Sequence, residues 1–562
     1  MPSRRKTSRA KKWILSIGVI LLLLVGVFAF FSNAYLEPAL RKRLHTLIIQ
    51  GSDSLYTYQL GKLKANFFGG NVEVRNLHID IDSNRYKQLA AANALPALTM
   101  QLDLGRGEIK GIDVFALLFN KQIAIQEIVS KDADIRLLRH VRKQDIPRNT
   151  PPLWKMVQPT ISSIAVDRIN LDGVKLLYKN ADTSNALKLQ FDKCIGLFND
   201  IRIDSAASAD TSRIGFTKSI NLQFNELKFR TPDSSYKMKA DMIAYSSRAK
   251  TFEVVNFKIQ PTLKDRDDFY KDATRQQTMY VVEYDRMKLT EIRLDRFINN
   301  NIIAADSFIL EHPIATMYND RTLPPNFESK IGSYPHQKLL QASSTIMVKA
   351  VVVKDGEISY TEKAEKSHQE GTFQLKDLNM NISNVTNDAT LIKKNNECVL
   401  SATGKILNSS PMQAQFHFYL DKPDGKFTAA GDVRNVTAEQ LNALAVPLAN
   451  IKLQSFNMKR LDFTMQGDDF SATGDVTMWY NNLFVIFQKQ DEETGAIKTK
   501  KFMTKLLNKF TLYDSNPGPN GVLRKAVGAR RSRISSQPFF SLVWKGLFTG
   551  MQDVMMKSGR YE

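Results

Sequence analysis

Apolar residues alternate with polar ones along most of this chain, the period-two pattern of strands that bury one face. Val72 and Val74 open one such run; Leu77, Ile79 and Ile81 continue it after a one-residue shift that predicts a bulge. Leu98, Met100, Leu102 and Leu104 follow, then Ile123 and Ile125, and later Ile135 and Leu137. Short helical stretches interrupt the alternation: Asp113 to Phe119, Leu153 to Val157 after Pro151-Pro152, and Gln337 to Leu340 after Pro324-Pro325.

The pattern repeats. Val72 to Ile79 aligns with Phe252 to Ile259, 180 residues later, and Asn76 meets Asn256. Without a gap, Met100, Leu102 and Leu104 meet Tyr280, Val282 and Tyr284, while Ile109, Ile123 and Ile128 meet Leu289, Ile303 and Phe308. Mismatches include Ile81 against Pro261 and Phe115 against Asp295. At an offset of 182, Ile164, Val166, Ile169, Leu171 and Tyr178 meet Ile346, Val348, Val351, Val353 and Tyr360. A duplicated set of one-sided strands predicts an extended sheet rather than a compact catalytic domain.

The last third has its own signature. Leu400 to Ile406, Phe427 to Val433 and Phe470 to Val476 each place a large apolar residue, Ala, Gly and a second large apolar residue on one face. Glycine within a strand marks close backbone approach or curvature, so these strands predict a gutter. Thr437 and Gln440 form a capping-box signature for a helix through about Ala445, ending before Pro447.

Trp13 to Phe31 carries no charge and, as a helix, would reach about 28 Å, close to a hydrocarbon core of about 30 Å. Six basic residues between Arg4 and Lys12 precede it, which orients a retained anchor with its tail in the cytoplasm. A cleaved signal peptide is the alternative, with Ser32-Asn33-Ala34 as its small-residue site. Tyr35 to Gln50 then reads as an amphipathic helix, either at the membrane surface or capping the sheet.

The chain has 78 basic and 57 acidic residues, a net charge of +21. That balance suits anionic lipid, nucleic acid or an acidic partner, and without a nucleic-acid module the lipid surface is favoured. Two cysteines, Cys194 and Cys398, exclude a disulfide framework and leave one pair or two free thiols open. Near the C-terminus, Arg524, Lys525, Arg530, Arg531 and Arg533 precede an aromatic helical segment with Phe539, Phe540, Trp544 and Phe548. Such a segment suits a membrane interface, a partner, or a cover over the last strand. Chemistry is poorly represented. Gly105 to Gly111 lacks dinucleotide-binding spacing, the seven histidines are scattered, and Asp132 with Asp134 and Asp468-Asp469 read as solvated or turn residues. No enzyme, metal site or cofactor is expected.

The apolar segment 13–31 followed by Leu36-Glu37-Pro38-Ala39-Leu40, then Ile112 to Leu118 and Ile123 to Ile128 leading to Asp134-Ile135-Arg136-Leu137, resembles the N-terminal region of AsmA-like proteins, the AsmA/TamB type. The resemblance covers roughly residues 13 to 180 and, more loosely, the strands of 400 to 480. It implies a bacterial inner-membrane anchor and a periplasmic β groove or tube that moves phospholipid or another amphipathic lipid between membranes, or maintains the outer envelope, with an outer-membrane or envelope protein as a further partner. The alternative function is a non-conducting envelope scaffold or assembly factor.

The expected fold is therefore mainly β with short helices: a transmembrane helix, then an elongated, curved, repeat-built antiparallel groove. Its divisions are a basic tail 1–12, anchor 13–31, juxtamembrane helix 32–51, repeat units 52–210 and 211–362, groove region 363–515 and basic, aromatic helical segment 516–562. Candidates to line the groove are Val72, Val74, Leu77, Ile79, Met100, Leu102, Leu104, Ile123, Ile125, Phe252, Val254, Phe257, Ile259, Tyr280, Val282 and Tyr284. Candidates for membrane contact are Trp13, Phe31, Phe539, Phe540, Trp544, Phe548, Arg530 and Arg531.

Overall fold

Alternation becomes strand throughout the computed structural model, which describes residues 45–557 apart from 51, 67–68, 93, 97, 114–115, 117–118, 141–161, 181–187, 211, 215, 232, 264 and 491–496. The anchor segment with Trp13 and Phe31, most of the juxtamembrane helix and the 153–157 stretch lie outside the described residues, as does part of the 113–119 helix. Among the described residues no helix is long and apolar enough to cross a membrane. The chain divides into two compact units, Met1–Val255 and Asn256–Glu562.

In the first unit, β1 (Tyr56–Asn66), β2 (Asn71–Ile81), β3 (Leu98–Ile112), β4 (Gln122–Arg139), β5 (Ser163–Asn180), β6 (Lys188–Ile203), β7 (Thr217–Arg230) and β8 (Tyr236–Ser246) pair in chain order. All pairs are antiparallel except β4–β5, which is parallel. The purely antiparallel expectation is corrected there. A parallel pair needs a crossover connection too long for a hairpin, and the stretch between Arg139 and Ser163 supplies that length. Helix α1 (Ser83–Ala91) and the π-helical turn Thr46–Gln50 close the β1 end, where Ile48, Leu55, Tyr56 and Leu89 form a small core.

The second unit restarts the same plan. Strand β9 (Thr251–Pro261) begins 180 residues after β2; β10 (Thr278–Thr290) and β11 (Ile302–Glu311) begin 180 residues after β3 and β4. Left-handed backbone recurs in step: Asn76 and Asn256 have φ 53° and 51°, Lys121 and Asn301 51° and 58°, Asp132 and His312 53° and 48°. The one-residue shift predicts a bulge at Asn76, but the registers of β2 with β1 and with β3 run through this point unshifted; the residue has left-handed backbone without an inserted position. The counterpart of β4 is interrupted at His312–Pro313, where the proline has no N–H for the ladder, and resumes as β12 (Ile314–Asp320). Both pieces pair in parallel with β13 (Thr345–Lys363), as β4 does with β5.

Beyond β13, an antiparallel meander runs through β14 (Glu370–Thr386), β15 (Glu397–Ile406), β16 (Ser410–Tyr419), β17 (Phe427–Thr437), β18 (Ile451–Gly467) and β19 (Ser471–Gln490) to β21 (Lys525–Ser532), with short β20 (Ile497–Thr499) also on β19. The signature glycines sit where backbones crowd: a Cβ on Gly431 would lie 2.4 Å from the Gln413 carbonyl oxygen, and one on Gly474 2.3 Å from that of Thr464. Phe470 departs from the pattern; it lies in the turn before β19 and is 65% exposed. Helix α7 (Ala438–Ala449) has the capping box of Thr437 and Gln440, but it continues through Pro447. The proline occupies the last turn, and Asn450 in left-handed backbone ends the helix.

Candidate functional site

Two strands' worth of alternation cannot by itself say which residues stand side by side; the register does. Tyr58, Ile79, Leu102, Ile135, Leu176, Phe191, Leu227 and Ala240 are successive cross-strand partners from β1 to β8. Phe191 and Ala240 are buried, and the other six are half-buried. A neighbouring row contains Leu60, Leu77, Leu104 and Ala133 on β1 to β4 and Val174, Cys194, Phe224 and Ile243 on β5 to β8. At about 4.8 Å between strands, eight strands make an apolar face about 34 Å across. One bilayer leaflet offers about 15 Å of hydrocarbon, so the face can accommodate an acyl chain laid along it.

The polar positions of the same strands carry a charge ladder. Glu73 takes Arg75 at 2.5 Å and Arg106 at 3.2 Å; Glu108 pairs with Arg106 and with Lys110 at 3.4 Å; Glu127 takes Lys110 at 3.1 Å and Arg168 at 3.9 Å. The Arg75 hydrogen bond holds the Glu73 carboxyl below its usual range. Exposed pairs like these add little stability, but they keep that side of the strands in water.

In the second unit Val282, Ala315, Ile358, Leu375 and Ile406 form the corresponding row, beside Tyr280, Met317, Tyr360 and Phe373. Phe257 stacks on Tyr284 at 4.9 Å, and burial pushes the Tyr284 hydroxyl up to about 12. The candidates thus fall into two groups. Val74, Leu77, Ile79, Met100, Leu102, Leu104, Phe252, Phe257, Ile259, Val282 and Tyr284 are half-buried and Tyr280 is exposed. Val72, Ile123, Ile125 and Val254 are buried, so they fill the sheet's core rather than line its surface.

From β14 to β19 the apolar face is covered. Helices α5 (Pro335–Leu340), α7 and α9 (Phe539–Met555) lie on it; Gly546 and Gly550 let α9 approach, since a Cβ on Gly550 would lie 2.4 Å from Val476 Cγ2. Phe539 corrects its assignment as a membrane contact. It is 4% exposed, with its ring edge-on to Tyr334 at 4.8 Å and Phe427 at 4.9 Å, because the first helical turn faces the sheet. Phe540, Trp544 and Phe548 occupy the outer side of α9 and are exposed. Arg530 and Arg531 lie on strand β21, not on the expected helix.

A buried clasp holds this cover, and sequence reasoning missed it. Asp469, read as a turn residue, accepts from Arg533 Nη1 at 2.7 Å and Gln337 Nε2 at 2.6 Å. The guanidinium also donates to the carbonyls of Lys330 and Gln537 and stacks 4.3 Å from the Tyr334 ring centre. Beside it His336 lies against Phe418 at 4.9 Å; neither ring nitrogen has a hydrogen-bond partner, and burial pushes its pKa down to about 4. Among the described residues no group of His, Cys, Asp or Glu is placed to hold a metal ion. Cys194 and Cys398 are free, buried thiols, pushed up to about 11 by desolvation.

No family model and no curated protein matches the chain.

Proposed function

We propose that this protein is a membrane-anchored, extracytoplasmic carrier that shields the acyl chains of phospholipid or a similar amphipathic lipid on the apolar face of its sheets. In this reading it serves lipid movement between two membranes or upkeep of the outer envelope, as its resemblance to AsmA-like proteins implies. The observation that carries the reading is the apolar row through all eight strands of the first unit, half-buried at six of them, on strands whose polar positions carry ion pairs. Each methylene kept from water is worth about 0.8 kcal/mol, so a face of this extent has a hydrocarbon ligand as its natural occupant.

A second reading, a non-conducting envelope scaffold, is favoured by the cover of α5, α7 and α9 over β14 to β19, where the protein's own residues take the place of a ligand. One experiment separates the two. The full chain, extracted in mild detergent, carries a photo-crosslinking residue at Leu102 or Leu176. Crosslinks to phospholipid, lost when Ile135 is replaced by Asp, support the carrier; crosslinks to protein alone overturn it and leave the scaffold.

A further inference from the structure

The segment that follows β20 turns two polar side chains, Thr504 and Asn508, toward the sheet. Helix α8 (Lys501–Leu506) continues into a π-helical turn, Leu507–Thr511. Thr504, 8% exposed, and Asn508 face strand β19. Thr504 Oγ1 accepts from the Phe487 amide at 3.1 Å; Asn508 Oδ1 accepts from the Val485 amide at 2.9 Å, and its Nδ2 donates to the Val485 carbonyl at 2.6 Å. These side chains satisfy strand backbone that would otherwise be an open edge. Thr504, Asn508 and Leu507 take the inward side, and four large apolar side chains are left pointing out: Phe502 is 78% exposed, Phe510 63%, Met503 46% and Leu506 42%. An ordinary amphipathic surface helix turns its large apolar residues toward the core.

The charge on this segment is one-signed. Lys500, Lys501, Lys505 and Lys509 are all exposed, and no Asp or Glu occurs between Thr499 and Tyr513. Lys509 Nζ lies 5.3 Å from the Phe510 ring centre, and Lys557 adds a further cation by donating to the Lys509 carbonyl at 2.9 Å. An apolar stripe at i, i+4 and i+8 flanked by lysines meets two needs of one kind of surface, which must accept hydrocarbon and carry negative charge.

We infer that Lys501–Thr511 is a membrane-docking element that inserts Phe502, Leu506 and Phe510 into the headgroup region of an anionic phospholipid bilayer. It is a second membrane contact, distinct from the N-terminal apolar segment. The inference rests on this surface alone and stands whether or not the sheet carries lipid.

The test uses the full chain in phosphatidylcholine nanodiscs, with an environment-sensitive fluorophore on Leu506→Cys. The native thiols, buried and held protonated, leave the new cysteine as the reactive one. Vesicles of phosphatidylcholine with phosphatidylglycerol should shift the emission to the blue; vesicles of phosphatidylcholine alone should bind far more weakly. Replacing Lys501, Lys505 and Lys509 with Gln should weaken binding about a hundredfold, as three surface cations would. Phe502→Ser or Phe510→Ser, both at exposed positions that leave the fold intact, should reduce the shift. No shift with anionic vesicles overturns the inference, as does equal binding by the lysine variant. A shift that precedes vesicle addition and grows with protein concentration overturns it too, because a second copy would then be the occupant.

Discussion

Replacing Asp469 with Asn should loosen helix α9 from its sheet. In the native protein the carboxylate and the Arg533 guanidinium are 2.7 Å apart, with side chains only 5% and 1% exposed. Neither charge can be rehydrated without opening the structure. Removing one partner of such a pair costs about 3–5 kcal/mol. The lower end applies here, because Arg533 keeps the Lys330 and Gln537 carbonyls and the Tyr334 ring. About 3 kcal/mol corresponds to somewhat more than a hundredfold in the opening equilibrium. Hydrogen exchange of the full chain, followed by mass spectrometry on peptides from residues 539–555, reads that equilibrium directly. Exchange in α9 should quicken by two orders of magnitude while β3 and β4 in the first unit stay unchanged. Replacing both partners together, Asp469→Leu with Arg533→Met, should return α9 to within about tenfold of native, since no stranded charge remains. Native exchange rates in the single variant would refute the view that this pair holds the cover in place.

Three further outcomes are expected. His336, depressed to about 4 by burial, binds its proton more weakly folded than unfolded, so its contribution is complete above about 6.5 and is lost as the pH falls toward 4; His336→Phe, which preserves the stacking on Phe418, should flatten the stability of the second unit across that window in denaturant titrations. Gly173, at φ 69° with Asp132 Oδ1 3.2 Å from where a Cβ would stand, should lose about 1–2 kcal/mol on substitution by Ala and less by Asn, read from unfolding midpoints of the first unit. Thiol reagents at neutral pH should leave Cys194 and Cys398 unmodified until denaturant is added, and early reaction of either would contradict its burial.

Much of the architecture was legible because period-two alternation is a local property that survives in any strand pairing. The duplicated plan was equally legible: Asn76 and Asn256 have left-handed backbone at equivalent points of β2 and β9, and the shift from Val74 to Leu77 falls at one of them. Helix α7 announced its start through Thr437 and Gln440, but not its end, since a proline in a last turn breaks fewer contacts than one in mid-helix.

Pairing direction and coverage were not legible. Whether β4 and β5 run parallel depends on where a connecting segment returns, and no residue in either strand encodes that choice. Alternation likewise marks an apolar face without saying what lies on it, so Leu102 in a half-buried row and Ile123 in a filled core look alike in sequence. The Asp469–Arg533 pair joins residues 64 apart through a turn and a loop, beyond the reach of any local pattern. The amino-acid order by itself determined the strands, their apolar sides, the duplication and the concentration of positive charge, because each depends on neighbours within a few residues. Tertiary structure alone decided which apolar faces the protein covers with its own helices and which stay half-open, because coverage is a competition among distant segments for the same surface.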